Sequence, residues 1–463
     1  MAPFRVERDT LGDVKVPAKA YWGAQTQRAV ENFPISGLRA HPDLVRAHVS
    51  VKLAAARANR DLGKLDAKLA EAIEKACREV LDGKLADQWV VDVFQAGAGT
   101  SFNMNTNEVL ANLANQLMGK PLGAYKPIHP NDHVNMSQST NDTFPTAMQV
   151  AAIVLGGAVA EAAETLADAL AEKGQEFDGI IKSGRTHLQD AVPMRLGQEF
   201  LAYSLAIHRG AERLEAALDE CRELPLGGSA VGTGFNTHPD YAAKAIEHLT
   251  EICDLELVPA IDLRAAMQSL APMAAASAAL RGLALELLRI TNDLRLLSSG
   301  PRTGLAELRL PAVQPGSSIM PGKVNPSVPE CVGMVAMQVV GNDAAVALAV
   351  QAGQLELNVF MPLVAHNVLS SMEILKNAME VLAERCVRGI EADADRCRRY
   401  FEESAGLATL LNEHIGYAKA AEVAKEAVKT GKTLRDLILE KGLMTKADLA
   451  KALDPKRVTE PND

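Results

Sequence analysis

The stretch AAMQSLAPMAAASAAL, from Ala265 to Leu280, has no charged side chain at any position. A helix at the surface of a soluble protein shows a polar side, and this stretch offers none. We therefore predict a helix that is buried on all sides, in the middle of a large bundle shared between subunits. Other Ala-rich segments have apolar residues three and four positions apart, which predicts a mainly helical chain. The predicted helices cover about 44–82, 144–176, 192–224, 262–298, 328–350 and 357–390.

The chain has 463 residues, more than one hydrophobic core usually serves, so we expect several structural units or an oligomer. Its net charge is -10, and it has no dense block of Lys and Arg. This argues against nucleic-acid binding and against a polybasic patch that would bind a membrane. The N-terminal segment is charged at Arg5, Glu7, Arg8 and Asp9, where a signal peptide needs an apolar core. No uncharged run reaches the roughly 20 residues that cross a bilayer. We expect a cytoplasmic protein without membrane contact.

The six cysteines are scattered, with no CxxC pair and no Cys/His pair at the spacing of metal ligands. We predict that they are buried free thiols, and nothing in their spacing suggests a metal site. They are Cys77, Cys221, Cys253, Cys331, Cys386 and Cys397.

Polar clusters interrupt the helical segments at 95–108, 129–142, 182–193, 226–241 and 315–326. They are dense in Ser, Thr, Asn and His, as loops that carry function often are. The chain has no GxGxxG, GxxxxGK[ST], HExxH or GxSxG motif, which disfavours hydride transfer, phosphoryl transfer, zinc hydrolysis and elbow-type hydrolases. The donors suit a small anion such as a carboxylate, bound with backbone N–H groups at helix starts. Candidate donors are Thr100, Ser101, Ser139, Thr140, Asn141, Lys323 and Asn325.

Each candidate also has a purely structural interpretation. Ser139 and Thr140 are typical helix caps, and the Gly-Ser-Ser run that opens the last cluster is ordinary turn material. Lys323 fits a solvated loop lysine. For His187 a buried, hydrogen-bonded histidine and a functional histidine are about equally supported. Comparable polar loops contain His129, His133 and His238.

The loop GSSIMPGKVNP, 316–326, resembles the signature of the fumarase/aspartase superfamily. Together with HPNDHVNMSQSTNDTFPTAM, GRTHLQDAVP and VGTGFNTHP, it is similar to class II fumarases in particular. The likeness extends from VPAKAYWGAQTQRAVENF near the N-terminus to LNEHIGYAKAAEVAKEA near the C-terminus. It implies an all-α fold with domains at 1–138, 139–390 and 391–463, and a central bundle of long helices shared in a homotetramer. The active sites would be built from loops of three different subunits.

The resemblance implies reversible hydration of fumarate to (S)-malate, a step of the citric acid cycle, without a metal or an organic cofactor. Water adds in the anti sense through a dianionic aci-carboxylate, which the site must stabilise because the proton beside a carboxylate is very weakly acidic. By resemblance Ser317 is the base that takes the C3 proton, and Lys323 with Asn325 stabilises the intermediate. His187 is the acid that protonates the departing hydroxyl, and Glu330 is the partner that orients it.

The resemblance also assigns residues that bind the substrate carboxylates and residues of a second anion site near the entrance. The carboxylate-binding residues are Ala98, Thr100, Ser139, Thr140, Asn141, Thr186, Ser318, Lys323 and Asn325. The second anion site comprises His129, Pro130, Asn131 and Asp132. Lys126 replaces an arginine that is frequent in fumarases, which leaves the affinity of the second site open.

Aspartate ammonia-lyase of the same superfamily is the main alternative, because it shares the fold and the intermediate but expels ammonia. Ala98, where fumarases commonly have Ser, favours it, as do the segments NDLRLLSSGPR and VGNDAAVALAVQAGQLELN. His187 favours the fumarase, because aspartases usually have Gln at this point of the motif. A non-catalytic structural homologue is the remote alternative. Retention of Ser317, Lys323, Asn325, His187 and Glu330 argues against it.

Overall fold

The computed structural model describes residues 3–404 and 406–460. Long helices with small two-stranded sheets between them confirm the prediction of a mainly helical fold. The helices are α1 (Ala24–Asn32), α2 (Pro42–Asp61), α3 (Ala67–Leu81), α4 (Thr100–Leu117), α5 (Thr140–Glu176), α6 (Leu196–Asp219), α7 (Tyr241–Cys253), α8 (Leu263–Gln268), α9 (Ala271–Leu297), α10 (Ser327–Gln351), α11 (Met361–Arg385), α12 (Ala394–Glu403), α13 (Leu407–Ile415), α14 (Tyr417–Thr430), α15 (Leu434–Glu440), α16 (Lys446–Ala452) and α17 (Pro455–Val458). The strands are β1 (Phe4–Asp9), β2 (Gly12–Pro17), β3 (Ile181–Thr186), β4 (Gln189–Arg195), β5 (Glu223–Leu224), β6 (Val258–Pro259), β7 (Leu308–Arg309) and β8 (Glu391–Ala392).

The chain divides into two compact units. Each point at which the chain passes from one unit to the other falls within a long helix. The first unit runs to Ala160 and includes Glu212–Gly282 and Gln338–Leu375. The second unit comprises Glu161–Ala211, Leu283–Met337 and the chain from Lys376 onward. These points lie in α5, α6, α9, α10 and α11. The division into three domains, at residues 138 and 390, stays a prediction.

Two of the predicted long helices are wrong, because each is a pair of helices. The segment 44–82 turns at Gly63 (φ +67°), and the Asp66 carboxylate then caps α3 by accepting the N–H of Lys68 at 2.9 Å. The segment 262–298 breaks at Ser269, whose backbone is extended (φ -111°, ψ 128°). Pro272, which has no N–H to donate, lies in the first turn of α9. Caps and turns set these boundaries, and an apolar pattern does not reveal them.

The charge-free segment from Ala265 to Leu280 is not buried on all sides within one chain, so this prediction is wrong for the single subunit. Its buried residues on α9, such as Met273 and Ala276, are spaced three or four positions apart and form one face. Large apolar side chains remain exposed further along α9 and on α10, and they are Leu285, Leu296, Met334, Met337 and Leu348. Exposed apolar surface of this kind marks an interaction surface. The shared bundle and the homotetramer stay predictions.

Helices α5, α9 and α10 are long enough and apolar enough to cross a membrane, judged by length and composition alone. The search for uncharged runs in the sequence did not find these three helices, because a helix able to cross a membrane can include a few charged residues. The absence of membrane contact therefore stays a prediction.

Helix α4 is almost entirely buried although it is rich in asparagine. Several of its polar side chains bind the backbone of other segments of the first unit. Glu108 accepts three backbone N–H groups around the start of α1, at 2.8 to 3.1 Å. Asn105 donates to Gln88 O at 2.9 Å, and Asn115 donates to Ile128 O at 2.7 Å. Because a buried polar group needs a partner, these bonds fix the loops that surround α4.

In the second unit, β3 and β4 form an antiparallel hairpin where the sequence predicted only a loop. The buried Glu307 forms ion pairs with Lys182 at 3.0 Å and with Arg185 at 2.8 Å, both on β3. Lys182 also pairs with Glu199 of α6 at 2.8 Å. Burial lowers the pKa of Lys182, but the two carboxylates outweigh it and hold the pKa above its usual value. This ion cluster ties β3 to the segment that leads into the 315–326 loop.

Replacing Glu307 with Gln should destabilise the protein by about 3–5 kcal/mol, because the buried Lys182 and the half-buried Arg185 lose their shared counter-charge. Urea unfolding followed by circular dichroism measures the loss. The matched control is Glu440→Gln, which removes one partner of an exposed ion pair with Lys432 and should cost less than about 1 kcal/mol. Equal losses in the two variants would contradict a structural role for the buried cluster.

Candidate active site

The first group of predicted residues lies at the start of α4. Ala98 has a left-handed backbone (φ +61°), and its N–H donates to Val359 O at 2.8 Å. Gly99 follows with φ +87°, and a Cβ at this position would overlap the Phe144 ring, so only glycine fits. This tight turn places the exposed Thr100 at the first position of α4. The N–H groups of a first helical turn lack helical partners and attract anions.

A second group lies at the start of α5, next to the first. The Ser139 hydroxyl accepts the N–H of Asn141 at 3.2 Å, so its interpretation as a helix cap is correct. Asn103 of α4 donates from Nδ2 to the Thr140 hydroxyl at 3.0 Å. That hydroxyl therefore keeps its own hydrogen for a further acceptor. The two helix starts together offer the N–H and hydroxyl donors that a carboxylate needs.

The residues predicted for the second anion site form one turn between α4 and α5. His129 Nδ1 accepts the N–H groups of Asn131 and Asp132, each at 3.3 Å, which leaves the ring hydrogen on Nε2. Pro130 between them is buried. Asn115 of α4 binds both the C=O and the N–H of the residue before this turn, at 2.7 and 3.0 Å. The turn is therefore fixed to the same helix that begins at the first group.

In the second unit, Thr186 and His187 lie at the tip of the β3–β4 hairpin. The backbone of His187 (φ +56°) and Leu188 (φ +59°) is left-handed, which is uncommon outside glycine. Both Thr186 and His187 are exposed in the single chain. The interpretation of His187 as a buried core histidine is therefore wrong for the single subunit. The strained turn presents the imidazole outward.

The 315–326 loop is closed on itself by hydrogen bonds. Gly316 N–H donates to Lys323 O at 2.7 Å, and Asn325 Nδ2 donates to Gly316 O at 2.7 Å. Inside this ring the Ser317 hydroxyl accepts the N–H groups of Ile319 and Met320, at 3.2 and 3.0 Å. The turn interpretation of Ser317 is thus correct, and the turn also surrounds its oxygen with donors.

The same loop forms one wall of a cavity of about 500 Å³ within the second unit. Lys323 and Asn325 line the cavity, and Arg309 and Arg396 line it further along. Lys323 and Ser318 are exposed, while Ser317 and Asn325 are half-buried. The loop therefore holds donors and positive charge beside an open space.

Glu330 lies in the first turn of α10 and is half-buried. Among the residues that the structure describes, no hydrogen bond or ion pair joins its carboxylate to the His187 ring. The pairing of these two residues stays a prediction. A site built from loops of three subunits would allow the partner to come from another subunit.

Sequence inspection missed two buried charges beside the predicted carboxylate-binding residues. Lys52 of α2 donates to Asn103, Asn135 and Gln138, at 2.7, 3.0 and 2.9 Å, and burial lowers its pKa to about 7. Asp142 of α5 is fully buried, and burial raises its pKa to about 6. A lone lysine in the apolar run HVSVKLAAA was the available signal, since a charge at a core position needs a partner.

The thiol prediction is correct for four cysteines, which are buried. It is wrong for Cys331, which is exposed in the single chain because Val328 and Val332 form the buried face of α10 there. Cys253 is half-buried. Within residues 3–404 and 406–460, no group of three or more His, Cys, Asp or Glu side chains could hold a metal ion. The lack of a cofactor stays an expectation.

Known proteins similar to this chain include two kinds of lyase. The family model described as Lyase matches residues 12–341, and the one described as Fumarase C C-terminus matches residues 407–460. An aspartate ammonia-lyase of Bacillus subtilis is 47% identical over 458 residues, covering 99% of this chain and 96% of that protein. A class II fumarate hydratase of Halobacterium salinarum is 51% identical over 457 residues, covering 98% and 97%.

Among solved structures, the fumarate lyase:delta crystallin of Brucella melitensis has a TM-score of 0.96 at 50% identity, and the match covers 99% of this chain and 100% of that one. The family models, the relatives and the fold all indicate the same superfamily of lyases. The chain belongs to the fumarase/aspartase superfamily of lyases.

Proposed function

We propose that this lyase is a fumarate hydratase, which interconverts fumarate and (S)-malate in the citric acid cycle. The observation that carries the proposal is the exposed imidazole of His187 at the tip of the β3–β4 hairpin. Expelling hydroxide requires a proton donor, whereas an amine can leave already protonated. Histidine is the side chain that supplies such a proton near neutral pH. Glu330 is the proposed partner that orients the ring.

Ser317 is the proposed base. A serine hydroxyl is a very weak acid, so its alkoxide must be stabilised before it can take the C3 proton. The N–H groups of Ile319 and Met320 already donate to Ser317 Oγ, and hydrogen bonds to a charged form favour that form. Lys323, held in the same closed loop, supplies positive charge for the aci-carboxylate.

The substrate carboxylates are assigned to the donors predicted from the sequence. Thr140 supports this assignment, because its hydroxyl accepts from Asn103 and keeps its hydrogen for a ligand. Further assigned residues are Ala98, Thr100, Ser139, Asn141, Thr186, Ser318, Lys323 and Asn325. In the proposed cytoplasmic homotetramer, loops of three subunits contribute to each site.

Aspartate ammonia-lyase is the second candidate function. The similarity to the Bacillus subtilis aspartate ammonia-lyase, at 47% identity, favours it, and so does Ala98. Both candidates share a dicarboxylate substrate and an aci-carboxylate intermediate. They differ only in the leaving group.

Purified protein should release fumarate from malate and not from aspartate. Two parallel assays that follow the ultraviolet absorbance of fumarate measure this. Release of fumarate from aspartate alone would overturn the hydratase assignment in favour of aspartate ammonia-lyase. A well-folded protein that is inactive on both would support the non-catalytic alternative.

Ser317→Ala should lower kcat for malate by several orders of magnitude while the protein stays folded, because the variant has no base for the C3 proton. Steady-state kinetics with circular dichroism as the folding check measures this. Ser318→Ala, at the neighbouring residue, should instead raise KM, since its proposed role is binding. A near-normal rate in Ser317→Ala would remove serine from the base role.

His187→Asn should lower kcat for malate dehydration more than it raises KM, because the hydroxyl loses its proton donor. The matched control is His248→Asn, which removes an imidazole that pairs with Asp61 at 2.8 Å and should leave both constants near their wild-type values. If KM rose while kcat held, His187 would be a binding group only.

A further inference from the structure

The polar cluster at 226–241 has no role in the proposed reaction, although it is bound to residues that do. Asp142 Oδ2 accepts the N–H groups of Gly227 and Ser229, at 3.1 and 2.9 Å. Its other oxygen, Oδ1, accepts the N–H of Ser139 at 2.9 Å. One carboxylate therefore joins the loop that follows β5 to the turn that begins α5.

A further hydrogen bond supports the same junction. Asn141 Nδ2 donates to Ala230 O at 2.9 Å, so the side chain next to Asp142 contacts the same loop. The turn Ser139–Asn141 carries three of the residues assigned to the substrate carboxylates. Its position is thus set by the 226–241 cluster as well as by α5.

We propose that Asp142 is a positioning residue for substrate binding, which holds the Ser139–Asn141 turn against the Gly227–Gly234 loop in the geometry that receives a carboxylate. The inference rests on the proposed binding role of that turn. Asp142 is fully buried and its two oxygens are occupied by backbone N–H groups, so it acts through the turn and not on the substrate.

The loop adopts a conformation that needs such an anchor. Ser229 has a left-handed backbone (φ +59°), which costs an L-residue free energy that its surroundings must offset. Gly227 has φ +95°, and a Cβ there would meet the side chain of Ala242. The two N–H groups of this loop that reach Asp142 belong to these two residues. Without their acceptor, the loop loses the bonds that hold it in this shape.

The charged form of Asp142 is the form that accepts three N–H groups. Burial disfavours this form, and the charge of Lys52 from α2 supports it. Tyr241 of α7 is fully buried, and burial together with the charge of Asp142 raises the pKa of that phenol. Lys52 is itself bonded to Asn103, which donates to the Thr140 hydroxyl. Asp142 therefore bonds to the turn directly, and Lys52 is linked to the turn through Asn103.

Asp142→Asn should weaken succinate binding at least tenfold, because the amide presents N–H groups where an acceptor is required, while kcat should fall by a smaller factor. Succinate is a non-reacting dicarboxylate that a hydratase and an ammonia-lyase would both bind. Its Kd, from calorimetry, therefore tests Asp142 separately from the choice of leaving group, which the malate and aspartate assays decide.

Glu108→Gln is the matched control. Glu108 is also buried with a raised pKa and also accepts three backbone N–H groups, but at the start of α1. This variant should lose stability and keep its succinate Kd within about twofold of wild type. Wild-type affinity in Asp142→Asn would overturn the proposal, and so would equal weakening in the two variants. Partial recovery in Asp142→Asn/Ser229→Gly, where glycine adopts the loop conformation without strain, would support it.

If Asp142→Asn does not fold, the wild-type enzyme provides the test. Protonation of Asp142, whose pKa is raised to about 6, removes an acceptor as the pH falls. The KM for fumarate, which stays ionised over this range, should rise several-fold between pH 7 and pH 5. A KM that is flat over this range would overturn the proposal.

Discussion

A polar side chain buried away from water must find its partner inside the protein, and this constraint shapes the first unit. Helix α4 is almost wholly buried yet carries a series of asparagines and Glu108. Glu108, Asn105 and Asn115 bind the backbones of loops, so each of these side chains also fixes one loop. The donors proposed to bind substrate lie at the starts of α4 and α5, where Asn103 donates to the Thr140 hydroxyl. There too, a buried polar side chain, Asn103, fixes the geometry of the proposed binding groups by finding its partner.

The second unit meets a related constraint with charges. Glu307 forms ion pairs with two cations of β3, Glu199 pairs with one of them, and β3 leads into the left-handed turn of His187. A strained turn persists only where the surrounding structure determines it strongly. The ion cluster holds β3, the strand that leads into this turn. The proposed acid therefore depends on charges that take no part in the reaction.

Much of the fold and of the site could be predicted from the sequence, because apolar spacing and dense polar loops are local signals. The donor-rich turn at Ser317 is found as expected, and α5 begins at Thr140, close to its predicted start near 144. Helix α4 was missed, because most of the polar cluster 95–108, predicted as an interruption of the helices, lies in its first turns. The breaks near Gly63 and Ser269 were missed, because capping and turn geometry override an apolar pattern. Asp142 and Glu307 were missed for another reason. Their roles depend on partners distant in sequence, which a single sequence does not reveal.

The closed ring of the 315–326 loop has one more consequence. Gly316, Lys323 and Asn325 are joined by hydrogen bonds within the loop, and Ser317 is bonded to the turn inside it. We expect a segment tied in this way to move as one body about its two ends, because its internal hydrogen bonds are already formed. Base and cation would then reach the substrate in the same step. On the proposed mechanism, partial closure would deliver neither, so proton abstraction would begin only once the substrate is completely enclosed.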